Sequence, residues 1–132
     1  MTYQYQKPKP FERYMKGAKV YLAEFTDKKT GDSFLKIGYT GYKDAMDRFR
    51  YEPEQYSKWN IRILSTAYNP SKEVIEQTED MLKKKYPKNF WLPEKIVGVT
   101  EIVKLDNGTR YQVIQEMRTM NEEWKKLYVA KS

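Results

Sequence analysis

The chain has 132 residues, enough for one domain with a real core and too few for two. It contains no cysteine and no histidine, which excludes a disulfide framework, a thiol nucleophile, Cys-ligated zinc and the usual neutral-pH general base. The net charge of +7 and pI near 9.4 favour an anionic partner, nucleic acid before an acidic protein or membrane surface.

Residues 1–18 are polar, aromatic and basic, and the Pro-Lys-Pro run at 8–10 excludes helix and central strand. They read as an extended arm, either loosely draped or lying along a nucleic-acid backbone. Residues 19–25, with Val20, Leu22 and Ala23 among Tyr21, Glu24 and Phe25, predict a half-buried strand. The polar stretch 27–32 contains Gly31 and suits a hairpin loop. Phe34 to Ile37 returns as the second strand. Gly38-Tyr39-Thr40-Gly41 is expected to end it, with Gly38 leaving room for a backbone or phosphate group and Gly41 allowing a turn with positive φ.

Asp44 to Tyr51 predicts a short helix with Ala45, Met46 and Phe49 on one side and arginines beside them. Residues 52–58 read as a loop, because Pro53 closes that helix. Residues 59–68 alternate in part and predict a third strand. Ser71 is the expected N-cap of a helix from Lys72 to Tyr86, whose Val74, Ile75, Thr78, Leu82 and Tyr86 share one face. Residues 88–105 hold an aromatic-apolar plug and a short strand at 100–105. Asp106-Asn107-Gly108 is a turn signal, followed by either a strand or the start of the last helix. In that helix Met117, Met120, Trp124 and Leu127 recur at helical spacing, as a packing face or a homodimer seam.

Together these elements predict an α+β fold: a small, mostly antiparallel three-stranded sheet flanked by helices, with an added C-terminal helix. The organisation is a basic arm (1–18), a central domain (19–105) and a C-terminal extension (106–132). No apolar run approaches the roughly 18–20 residues of a membrane span, and no signal peptide opens the chain. A cytoplasmic protein is the expectation, in the host cytoplasm if the source is a phage.

Val20-Tyr21-Leu22, Lys36-Ile37-Gly38, Thr40 and Arg48-Phe49, in that order and spacing, resemble the first half of a GIY-YIG nuclease domain. The Lys-Ile-Gly form is closer to the T5orf172 (phage and bacterial) branch. Glu79-Asp80-Met81-Leu82 followed by Tyr86 is similar to the helix that carries the metal-binding glutamate of that family, and Thr100-Glu101-Ile102-Val103 to the ending of the branch. The resemblance implies Mg²⁺- or Mn²⁺-dependent hydrolysis of DNA phosphodiester bonds. Tyr21 is then the general base or the residue that orients the attacking water, and Lys36 supplies a cation beside it. Arg48 stabilises the developing phosphate charge, and Glu79 holds the metal. Arg50-Tyr51 repeats the Arg-aromatic pair, so Arg50 is a second candidate or a phosphate contact. Lys16, Lys19, Thr40, Lys84 and Lys85 are candidate nucleic-acid contacts. Glu101 is either a second acidic site residue or a plain strand charge.

Without the resemblance, Glu79 is a rim carboxylate on the shoulder of its helix's buried face, beside Ile75 and Leu82, and Tyr21 and Lys36 are ordinary strand residues. The first motif has Val where the family has Gly-Ile, and no histidine follows the arginine. A catalytically weak or inactive GIY-YIG-like protein that binds nucleic acid or a protein partner in a regulatory role is therefore the second reading. An interaction protein whose positive charge serves an acidic partner is the third.

Overall fold

In the computed structural model, residues 14–51, 53–86, 102–104 and 107–129 are described. The architecture is α+β, as the patterning predicts. Strands β1 (Tyr14–Asp27) and β2 (Ser33–Tyr42) form a long antiparallel hairpin. Asp27 organises its loop: the Asp27 side chain accepts the backbone N–H groups of Lys29 (2.8 Å) and Thr30 (3.2 Å), and Gly31 takes φ of 78° where a side chain would be strained. Strand β3 (Trp59–Asn69) pairs antiparallel with the other edge of β1, and the short β4 (Ile102–Lys104) pairs with residues 34–36 of β2. The order is β3-β1-β2-β4, so the short strand expected at 100–105 is found at Ile102–Lys104 and joins the expected three-stranded sheet as a fourth strand.

Alternation sorts β1 and β2 onto two faces. Ala18, Val20, Leu22, Leu35 and Ile37 share an aliphatic core with Ala67, Ile75, Leu82, Val113 and Met117. Tyr21, Ala23, Phe25 and Phe34 join Phe49, Tyr56 and Trp59 on the other face. The partial alternation of β3 has a physical cause. Leu22 pairs with Ser65 and Ala23 with Ile63, so Leu64 is an extra residue, a bulge. Odd-numbered residues therefore face the aromatic side at Trp59, Ile61 and Ile63, and the aliphatic side at Ala67.

Four element boundaries differ from the sequence expectations. First, β1 begins at Tyr14, so residues 14–18 belong to the sheet and not to an arm. Gly17, at φ of 84°, lets the chain kink and resume pairing. The rest of the expected arm, residues 1–13, lies outside the described residues. Second, β2 runs through Gly41 to Tyr42, and Gly41 does not take positive φ. Third, the helix expected over 44–51 is one turn, α1 (Asp47–Arg50), and the expected loop 52–58 contains another, α2 (Pro53–Tyr56). Pro53 opens that turn, where its missing N–H costs nothing. Fourth, the Asn107-Gly108 signal is not a hairpin turn. Helix α4 (Asn107–Val129) starts there, at residues that serve a helix start as well as a turn.

Helix α3 (Lys72–Lys85) follows its pattern closely. Ser71 caps it by accepting the Val74 N–H at 3.4 Å, Ile75, Thr78 and Leu82 are buried, and its last turn carries Lys83, Lys84 and Lys85. Helix α4 lies on the aliphatic face. Val113 and Met117 are buried there, Met120 and Trp124 pack against the same core, and Leu127 remains exposed. The expected stripe is thus mainly an internal packing face. Arg110 ties α4 to Glu24 of β1 at 2.8 Å, and Asn121 accepts the Tyr68 N–H at 3.1 Å. Among the described residues, no helix is long and apolar enough to cross a membrane. The plug at 88–101, including Glu101 and Lys88, lies outside the described residues.

Candidate active site

β4 covers β2 only from Phe34 to Lys36. Along the rest of β2 lies a cleft of about 650 Å³, a volume suited to a small ligand or a nucleotide. Side chains from both faces of the sheet reach it. Tyr21, Lys36, Thr40 and Arg48 come from the aromatic side, and Tyr39, Lys72 and Glu79 from the α3 side. Tyr14, Met15, Gly17, Gly41 and Tyr42 complete its lining. Tyr21, Lys36, Arg48 and Glu79, spread along much of the chain, therefore line a single cleft.

Tyr21 stands opposite Gly38 in the hairpin register, and a Cβ on Gly38 would fall 2.5 Å from the Tyr21 hydroxyl oxygen. The room that Gly38 leaves is filled by this phenol and not by an approaching phosphate. The Tyr21 ring is buried and meets Phe49 edge-on at 5.7 Å. Lys36 pairs with Ala23, two residues along β1 on the same face, so it is a diagonal neighbour of Tyr21. Lys36 is only 2% exposed, and its ammonium lies 5.5 Å from the Phe49 ring centroid. The ring face is one partner of that ammonium, and its place on the cleft wall lets an anion there add to it.

The two arginines of α1 separate cleanly. Arg50 donates to Asp44 at 2.7 Å and Asp47 at 2.9 Å. Asp47 is itself buried and also accepts the Tyr51 hydroxyl at 3.2 Å. The bond to Asp44, ahead of that to Asp47, raises the Arg50 pKa above the ordinary guanidinium value. Arg50 thus anchors the turn. Arg48, two residues earlier and so on the opposite side of a helical turn, lines the cleft. Arg50, expected as a second candidate or a phosphate contact, does not line the cleft and spends its guanidinium on the Asp44 and Asp47 carboxylates. The Asp47–Arg50 spacing of i,i+3 was the sequence signal that separates the pair.

Glu79 sits on the α3 shoulder as its pattern predicts, with a side chain 12% exposed and an ion pair to Lys83 one turn on. Glu73 and Asp80 face solvent. Tyr39 donates to Glu76 at 3.3 Å, and burial first, then Glu76, pushes its phenol pKa up. Tyr39 is therefore a proton holder and not a base near neutral pH. Lys72 stands two turns before Glu79 on α3, the i,i+7 spacing that shares a helix face. Three cations, Lys36, Arg48 and Lys72, thus line the cleft with one carboxylate, a balance that suits a phosphate.

The other candidate contacts lie elsewhere. Lys19 donates to the Lys43 carbonyl at 2.7 Å, and Lys16 is exposed, its carbonyl accepting the Tyr68 hydroxyl. Lys84 is 78% exposed and paired with Asp80, while Lys85 pairs with Glu116 on α4. None of these four lines the cleft, nor does Arg50; Lys19 comes nearest, paired in register with the cleft residue Thr40. Thr40 does line it; it is 4% exposed, and its hydroxyl accepts the Tyr42 N–H at 3.1 Å.

Among the described residues no group of three or more His, Cys, Asp or Glu side chains surrounds a common point. Glu79 alone fits a hydrated Mg²⁺, which binds through one or two carboxylates, keeps several waters and takes substrate phosphate oxygens. A cation there competes with Lys83 for the same carboxylate. No protein family, curated protein or solved structure matches this chain.

Proposed function

We propose that this cleft hydrolyses phosphodiester bonds of DNA with a divalent metal ion, in the manner of the GIY-YIG nucleases that the motifs resemble. One observation carries the proposal: Tyr21, Lys36, Arg48 and Glu79, picked out by those motifs, line the same cleft. In this scheme Lys36 and Lys72 attract the phosphate. Arg48 pairs with its non-bridging oxygens, where negative charge grows as water adds to phosphorus and the P–O bond to the leaving oxygen breaks. A planar guanidinium meets two such oxygens at once. Tyr21, a diagonal neighbour of Lys36, orients the attacking water; it takes the water's proton only as the phenolate, which a nearby ammonium favours, and becomes the neutral phenol in doing so. Glu79 would hold Mg²⁺ or Mn²⁺, and such an ion would supply Lewis-acid stabilisation of the leaving oxygen. Such an enzyme works where DNA is found, in the cytoplasm of a bacterial or phage-infected cell.

The Glu79–Lys83 ion pair favours a second reading. A carboxylate already neutralised by lysine holds a metal weakly, and the same cationic cleft then binds nucleic acid without cutting it, as a regulatory protein does. Nicking of supercoiled plasmid in Mg²⁺ or Mn²⁺, with wild type beside Glu79→Ala, separates the two. Metal-dependent nicking that disappears in the variant is the expected result. Salt-sensitive DNA retention with no nicking by either protein selects the binding role. Loss of both activities sends the search to an acidic protein partner.

A further inference from the structure

Two tyrosines at the mouth of the cleft have no part in the hydrolysis scheme. Tyr14, the first residue of β1, pairs with Tyr42, the last of β2. Their rings stack with centroids 5.0 Å apart and 19° between planes, and Tyr51 meets Tyr42 edge-on at 5.3 Å. The local backbone is built for this contact. Pairing of β1 with β2 shifts register between Tyr14 and Lys19, and the kink falls at Gly17, where φ is 84°. A Cβ on Gly17 would lie 2.3 Å from the Asn69 carbonyl oxygen, so only glycine lets the chain turn back over β2 there. Gly41 lies beside the Tyr14 ring, its would-be Cβ 3.8 Å from Cδ1.

A tyrosine serving only the core buries its ring, as Tyr21 does. Tyr14 remains 49% exposed while lining the same cleft as Lys36, Arg48 and Lys72. One side of its ring is backed by Tyr42, so a planar, half-exposed aromatic stands in a cationic cleft of nucleotide size. Nucleobases stack on such planes, and stacking is indifferent to base identity. In a continuous duplex both faces of every base are already covered by neighbours, so only a base outside the stack can take this position.

We infer that Tyr14, backed by Tyr42, is a stacking platform for one unpaired nucleobase beside the phosphate held by Lys36 and Arg48. The cleft accordingly takes single-stranded or locally unpaired DNA, such as a flap or frayed end, in preference to continuous duplex. This rests on the phosphodiester reading, which puts a nucleic-acid phosphate in the cleft.

The test is equilibrium binding in Ca²⁺ to three DNA ligands: a short single strand, the same strand in a duplex, and the single strand with one abasic position moved along it. The proteins are wild type, Tyr14→Ala and Tyr14→Phe. Wild type is expected to prefer the single strand. Tyr14→Ala loses about 5- to 100-fold on the single strand and nothing on the duplex, whereas Tyr14→Phe keeps the wild-type affinity. One abasic position costs wild type the same factor and costs Tyr14→Ala nothing. Equal wild-type affinity for single strand and duplex overturns the inference and leaves the phosphodiester reading standing. So does a Tyr14→Ala protein that matches wild type on the single strand, or loses affinity for both ligands alike. If Tyr14→Ala does not fold, the abasic scan on wild type decides alone, and a flat scan overturns the inference. No binding of any DNA ligand overturns both.

Discussion

Under α3 and α4 the sheet presents Val20, Leu22, Leu35 and Ile37 to two helices of 14 and 23 residues. Its opposite face presents Tyr21, Phe25 and Phe34 to two helices of four residues each. The long helices close the aliphatic face with interdigitating branched side chains. The short ones cannot cover a sheet of this length, and large rings fill the space instead. Aromatic rings tolerate a neighbouring cation or hydroxyl where branched aliphatics do not. Lys36, Tyr21 and Asp47 are buried on or beside the aromatic side for that reason. The aliphatic face is built mainly for stability, with Tyr39, Lys72 and Glu79 reaching the cleft from its rim, and the aromatic face trades some stability for polar groups there.

The largest expected effect breaks the aliphatic face alone. Leu82→Ala removes a fully buried side chain and is expected to cost about 2–5 kcal/mol, measured by denaturant unfolding. Nicking per folded molecule stays at the wild-type level. A further loss of nicking would show that the placement of Glu79, three residues before Leu82 on α3, depends on the packing of the aliphatic core.

The next sharpens the comparison at the aromatic edge. Arg48→Ala is expected to lower nicking about 10²- to 10³-fold per folded molecule, as its first effect. Arg50→Ala is expected to do the reverse. It frees Asp44 and the buried Asp47 and lowers stability by up to about 1 kcal/mol, because the guanidinium is 39% exposed, while nicking persists. The opposite pattern in a nicking assay would exchange their roles.

Gly38→Ala joins both observables. Its methyl group would meet the Tyr21 hydroxyl at 2.5 Å and must displace a buried ring. A loss of about 1–3 kcal/mol is expected, together with reduced nicking, because Tyr21 is the residue that moves. Full activity in a destabilised Gly38→Ala protein would remove Tyr21 from the proposed chemistry.

The smallest effect lies far from the cleft. Burial first, then the bond to the Glu116 carboxylate, pushes the Tyr86 phenol up to about 12, against roughly 10 in an unfolded chain. The folded state therefore holds this proton more tightly. That contribution is complete below about pH 10 and is lost as pH rises from about 10 to 12. Tyr86→Phe should flatten this part of the stability profile and leave nicking at neutral pH unchanged.

Local sequence determined the α+β class, the β1–β2 hairpin, the Ser71 cap and the buried stripe of α3, because each rests on a periodicity or a single hydrogen bond near in the chain. It also singled out Tyr21, Lys36, Arg48 and Glu79 through the order of short motifs, and placed Glu79 on a helix shoulder. Tertiary structure decided what depends on register. It set Tyr21 over Gly38 and reversed the faces of β3 at Leu64. It brought Tyr14 against Tyr42. These pairings join residues remote in the chain, and a one-residue slip would change every one of them, so no local pattern encodes them. Lys72 and Tyr39 fall between the two cases: their helix and strand were legible, but their shared cleft exists only once α3 crosses β2.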